Sequence, residues 1–116
     1  MNTYEMGGKN VKKINEQKQL FDAIEENEEI LLFKNSTTCP ISSNAFDEFK
    51  AFATEHPEVP VYYLNVQEAR PLSEYVATYW DVKHESPQAL LLTATEAKWH
   101  TSHSDITEQT LEKTIL

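Results

Sequence analysis

The sequence is short of cysteine, basic residues, glycine and long apolar runs, and each shortage narrows what the chain can do. Cys39 is the one cysteine in 116 residues. It cannot close a disulfide within the chain, which fits a reducing compartment, and any disulfide it forms must be with another molecule. Uninterrupted apolar runs are only a few residues long, far below the roughly 20 needed to cross a bilayer, and the N-terminus lacks a basic-then-apolar signal pattern. No membrane partner is expected, and the cytoplasm is the expected location. Ten Lys and Arg stand against nineteen Asp and Glu, a formal net charge of −9. Basic residues so few and so scattered argue against nucleic acid or an anionic membrane surface as a partner. Both glycines fall in residues 1–10, which show no periodicity and read as a flexible N-terminal tail. The remainder is ordinary: 40% hydrophobic and 25% charged residues, no internal repeat, and a length that suits one domain over residues 11–116.

Periodicity divides that domain. Residues 11–15 suit a short edge strand, and residues 16–27 an amphipathic helix with Leu20, Phe21 and Ile24 on one face. Glu25, Glu26, Glu28 and Glu29 crowd its end as a solvated face. The apolar run of residues 30–34 is too short for a helix and suggests a strand covered on both sides. A second helix, with Ala45, Phe46, Phe49, Phe52 and Ala53 at helical spacing, stops near His56-Pro57, where proline excludes continuation. Residues 59–66 form the next strand, and Arg70-Pro71 opens a helix whose stripe is Leu72, Tyr75, Val76 and Tyr79. Two short strands, residues 89–93 and 97–100, form a hairpin without a glycine in its turn. In the last helix Thr107 can cap and Ile106 can pack on Leu111. The order βαβαβαββα predicts an α/β fold with a mixed central sheet and helices on both faces.

The chemistry concentrates at Thr37-Thr38-Cys39-Pro40-Ile41-Ser42. A buried strand delivers the thiol of Cys39 to a helix start, where unpaired N–H groups and the positive end of the helix dipole favour a thiolate. Pro40 suits the first helical position, where its missing N–H costs nothing. The plainer reading of a lone cysteine is a small, inert, buried side chain. In a dithiol motif a second cysteine stands three residues on; here that position is Ser42. Its hydroxyl can donate to a thiolate but cannot displace sulfur, so any exchange cycle is monothiol. A solvated or carbonyl-bonded serine is the alternative. His100 and His103 have a ligand-like spacing, but a predicted strand holds the first and no further ligand completes a site, so no metal is expected. Trp80 and Trp99 read as packing.

Three motifs, Thr38-Cys39-Pro40-Ile41-Ser42, Arg70-Pro71-Leu72-Ser73 and Val82-Lys83-His84-Glu85-Ser86-Pro87-Gln88, together with the element order, resemble the monothiol bacilliredoxin family of the thioredoxin-like superfamily over roughly residues 11–115. The glycine-free segment of residues 94–103 departs from a turn common in relatives. The resemblance implies a thioredoxin-like fold, a cis Pro87 beside the active Cys39, and removal of bacillithiol from S-bacillithiolated proteins in the cytosol. Thr38, Pro40, Ser42 and Pro87 then support the site. Lys34, Arg70 and Lys83 become candidate contacts for the bacillithiol carboxylates, with His84 assisting a proton or an anion and the Ser86 backbone pairing with the bound thiol. Single solvated cations and a loop histidine are the alternatives. Bacillithiol is then a co-substrate, with no bound cofactor, bacillithiol or another reducing thiol regenerates Cys39, and the chain is expected to act as a monomer. Two other functions stay open: an iron–sulfur carrier in which two chains each give one thiolate, and a thioredoxin-like binding module in which Cys39 is incidental.

Overall fold

The computed structural model describes residues 11–115, so the tail expected at residues 1–10 lies outside the described residues. The chain runs β1 (Val11–Lys13), α1 (Gln17–Asn27), β2 (Glu29–Asn35), α2 (Pro40–Glu55), β3 (Val61–Asn65), α3 (Arg70–Tyr79), β4 (Gln88–Thr93), β5 (Ala97–Ser102), a 3-10 turn (His103–Asp105) and α4 (Glu108–Ile115). This is the expected order with two adjustments. β3 begins after Pro60 instead of including it, and β5 reaches Ser102 before the unforeseen 3-10 turn. Among the described residues no helix is long and apolar enough to cross a membrane.

The sheet order is β1-β3-β2-β4-β5. β3 pairs in parallel with β1 and β2, while β2–β4 and β4–β5 are antiparallel. β2 is central and its residues alternate between faces, as strand geometry requires. Ile30 and Leu32 pack with Leu20, Ile24, Leu72 and Val76 of α1 and α3. Leu31 and Phe33 pack with Ala45, Phe49, Phe52 and Leu111 of α2 and α4. Ile30, Leu31, Leu32 and Phe33 are wholly buried, which is why β2 reads as a continuous apolar run.

Local signals fix the helix ends and the turn. Gln19 Oε1 accepts from the backbone N–H of Glu16 at 3.0 Å and of Asn15 at 2.8 Å, closing the start of α1. Thr107 Oγ1 accepts the Thr110 N–H at 3.0 Å, the cap expected for α4. Ile106 and Leu111 lie in one buried cluster. In the glycine-free hairpin, Thr93 Oγ1 accepts N–H groups from Thr95 at 3.3 Å and Glu96 at 3.1 Å. A threonine side chain thus organises the turn. Glu28, Asp81 and His103 adopt positive φ of 69°, 55° and 55°, the left-handed region that favours glycine. Residues 11–115 contain no glycine to fill these corners.

Candidate active site

Three strand ends meet at one end of the sheet. Asn35, the last residue of β2, pairs with Asn65, the last of β3, and Lys34 stands opposite Gln88, the first of β4. The loop to Cys39 leaves this end from β2, and Ser86-Pro87 enters β4 at the same end. The Ser86–Pro87 peptide bond is cis, as the resemblance implied. The Pro87 carbonyl accepts the His103 N–H at 3.0 Å, which ties the bend to the 3-10 turn after β5.

Cys39 is the N-cap of α2 with extended backbone (φ −109°, ψ 121°), and Pro40 occupies the first turn. The Cys39 carbonyl accepts the Ser43 N–H at 3.1 Å, the first bond of the helix. The thiol is free and half-buried, so an outside disulfide can reach it. Its pKa is lowered, chiefly by the backbone N–H of Ser42, against an opposing push from burial, with further help from the Ile41 N–H and the Ser42 hydroxyl. Ser42 is therefore not a solvated helix serine. It is 0% exposed, and its Oγ accepts the Ser36 N–H at 3.2 Å, which leaves its proton free to donate to the sulfur.

The loop before Cys39 is clasped by Gln67, a residue the sequence reading passed over. Gln67 Oε1 accepts the Thr37 N–H at 3.0 Å, and Nε2 donates to Ser36 Oγ at 2.9 Å and Thr38 Oγ1 at 3.3 Å. Thr38 is held by this clasp. Beneath it, Asn35 Nδ2 donates to Asn65 Oδ1 at 2.8 Å, buried, and the Val66 N–H reaches the Asn35 carbonyl at 2.8 Å. Gln88, 1% exposed, donates from Nε2 to the Lys83 carbonyl at 2.9 Å, holding the segment that leads to Pro87. The Gln67 and Asn35 amides lie some thirty residues from the groups they bind, beyond any local pattern, whereas Gln88 reaches back five. The one available signal was polar residues inside apolar strand ends.

The expected ligand contacts divide. Lys34, expected to present its charge to a ligand carboxylate or to water, is instead 0% exposed. Strand alternation puts it on the face of Ile30 and Leu32, where Nζ donates to the Ser73 carbonyl at 3.0 Å and meets His84 Nδ1 at 3.2 Å. Burial pushes its pKa down to about 8. His84 is likewise lowered, first by burial and then by the Lys34 charge. Arg70 is exposed at the start of α3 and lines a small cavity with His84. Lys83 points to solvent, 4.0 Å from Glu85, its side chain 89% exposed. Ser86 Oγ is buried and has no hydrogen-bond partner among the described residues. His100 and His103 lie in β5 and the 3-10 turn, and among the described residues no three His, Cys, Asp or Glu side chains form a metal-ligating group. Trp80 packs in the α1–α3 cluster and Trp99 against the other.

Residues 12–111 match the family model described as "Monothiol bacilliredoxin BrxC". The chain belongs to this family. Among solved structures, it is similar to a thioredoxin-fold protein with a suggested oxidoreductase role, at 39% identity over 99% of this chain and 100% of that one, with a TM-score of 0.87. Mitochondrial thioredoxin 3 of Saccharomyces cerevisiae, in its oxidized form, shares the fold at a TM-score of 0.74 and 15% identity, over 94% of this chain and 96% of that one. Fasciola hepatica thioredoxin does so at 0.72 and 22%, over 90% and 95%. The bacilliredoxin family and the thioredoxin fold give the chain a thiol redox role, and Cys39 is its single cysteine.

Proposed function

We propose that the protein is a monothiol bacilliredoxin that removes bacillithiol from S-bacillithiolated proteins in the cytoplasm, acting as a monomer without a bound cofactor. The observation that carries this reading is Cys39 itself: a reachable thiol at the start of α2, held toward the thiolate by the Ser42 N–H, in a chain with no second cysteine. The thiolate attacks the bacillithiol sulfur of the mixed disulfide. The bond between that sulfur and the client cysteine breaks, the client sulfur leaves as a thiolate and takes a proton from water, and bacillithiol stays on Cys39. A second thiol, bacillithiol or another reductant, then attacks this new disulfide and frees Cys39. Ser42 cannot resolve the intermediate, so the cycle needs that outside thiol. The Ser86 backbone and the cis Pro87 flank the bound thiol, with Thr38 and Pro40 fixing the loop.

The test is to incubate a bacillithiolated model protein with wild type and with Cys39→Ala and to follow bacillithiol on both partners by mass. Wild type should gain one bacillithiol on Cys39 as the substrate loses it. Equal substrate loss with the alanine variant would overturn the reading.

A further inference from the structure

The least expected atom in the fold is Lys34 Nζ. Lysine is almost never fully buried unless paired, yet among the described residues Lys34 has no ion-pair partner and reaches only the Ser73 carbonyl at 3.0 Å and His84 Nδ1 at 3.2 Å. An ammonium offers donors alone, so Nδ1 must accept and the ring proton must sit on Nε2. Ser73 Oγ, 3.3 Å from the same Nδ1, can donate to it in that arrangement. The ring therefore presents its bare nitrogen to Lys34 and carries its N–H on Nε2. His84 also lines a cavity of about 90 Å³, together with Val66, Arg70, Ser73 and Glu74. At about 30 Å³ per water, that space suits a carboxylate group and not a whole sugar or peptide. The Arg70 guanidinium stands at its rim, on the positive end of α3. Both donors belong to segments anchored at the sheet end that carries Cys39: Arg70 follows the Gln67 clasp, and His84 precedes Pro87.

We propose that this cavity is the subsite for a carboxylate of the small thiol carried on Cys39, with Arg70 and His84 Nε2–H as its donors and Lys34 as the buried residue that positions the ring. This deepens the function proposed above and rests on it. Lys34 acts through His84 and does not touch the ligand. Glu74 lines the same cavity and opposes an anion there, so it moderates the affinity. The charged groups facing the ring are Lys34 from β2, Arg70 and Glu74 from α3, and Glu85 from its own loop. The two cations and burial disfavour a second proton on the ring, while Glu85 and Glu74 favour it.

The test compares one model protein carrying either bacillithiol or cysteamine, a small thiol without a carboxylate, as the mixed disulfide. Losing a charge-assisted contact in Arg70→Gln should raise KM about tenfold for the bacillithiol form and leave it unchanged for the cysteamine form. Glu74→Gln should lower the bacillithiol KM by about two- to threefold. Lys34→Met should raise that KM with kcat preserved, and should move the His84 ring titration, followed by NMR, up toward that of an ordinary histidine. Free succinate should compete with the bacillithiol form in wild type and lose that effect in Arg70→Gln. If Lys34→Met does not fold, the two surface variants decide alone. Equal KM changes for both mixed disulfides, or succinate inhibiting both alike, would overturn the subsite. No exchange with either disulfide would overturn the proposed function instead.

Discussion

The two ends of the sheet are built on opposite principles. At the Cys39 end lie all the buried polar side chains found in the fold's described part, Lys34, Asn35, Ser42, Asn65, Ser73 and Gln88. At the far end, where Glu29 of β2 pairs with Thr93 of β4, rings take over: Phe21, Tyr75, Tyr79 and Trp80 contact one another with centroids 4.5–6.4 Å apart. Polar atoms there serve only as anchors, with Trp80 Nε1 donating to the Thr93 carbonyl and Tyr79 Oη to the Ala94 carbonyl, each at 2.8 Å. Buried polar groups cost free energy unless every one is hydrogen-bonded, whereas packed rings add to stability directly. The rings, at the far end and in the Phe33, Phe46 and Phe49 stack under α2, therefore supply stability, and the polar end uses some of it to hold a sulfur and a bend in place.

Substitutions can break that division. Trp80→Ala should cost about 3–5 kcal/mol, read by denaturant unfolding, while the folded variant exchanges disulfides at the wild-type rate. A folded Trp80→Ala protein with impaired exchange would show that the ends are not separable. Lys34→Met should act the other way, stabilising the fold at neutral pH by on the order of 1–3 kcal/mol. Folded, Lys34 loses its proton near pH 8, and unfolded it does so near 10.5. Between these values the unfolded chain binds the extra proton, so wild-type stability rises with pH across that window and the deficit is full below it. The methionine variant should lose that slope in unfolding curves taken from pH 7 to 11. Ser42→Ala should cost about 1–3 kcal/mol by stranding the Ser36 N–H, and should shift the pH midpoint of Cys39 alkylation upward. An unmoved midpoint would remove the Ser42 hydroxyl from the activation of the thiol and leave it to the backbone N–H groups. Smallest is Thr107→Ala, which should cost about 1 kcal/mol by uncapping α4 and leave exchange untouched.

What the sequence made legible was local. The run 30–34, the Cys39-Pro40 start and the Thr107 cap each announce themselves within a few residues, and all three stand where expected. The cis Pro87 came from resemblance, since no local pattern requires it. Less visible was everything joined across the fold. Gln67 carries no periodic signature and acts through amide contacts to a loop thirty residues away. Lys34 was misread because its charge outweighed its parity. It follows Ile30 and Leu32 at even spacing and so had to share their buried face. Where a cation occupies an inward position of a central strand, the alternation is the better guide.

The corners at Glu28, Asp81 and His103 have a further effect on the folding balance. Holding a non-glycine residue in a left-handed conformation strains the native backbone by on the order of 1 kcal/mol at each site. A denatured chain free of glycine over residues 11–115 is correspondingly stiffer, and stiffness there reduces the disorder released on melting. Part of the balance between folded and unfolded chain is thus written into the ensemble the molecule avoids, and no inspection of native contacts alone would reveal it.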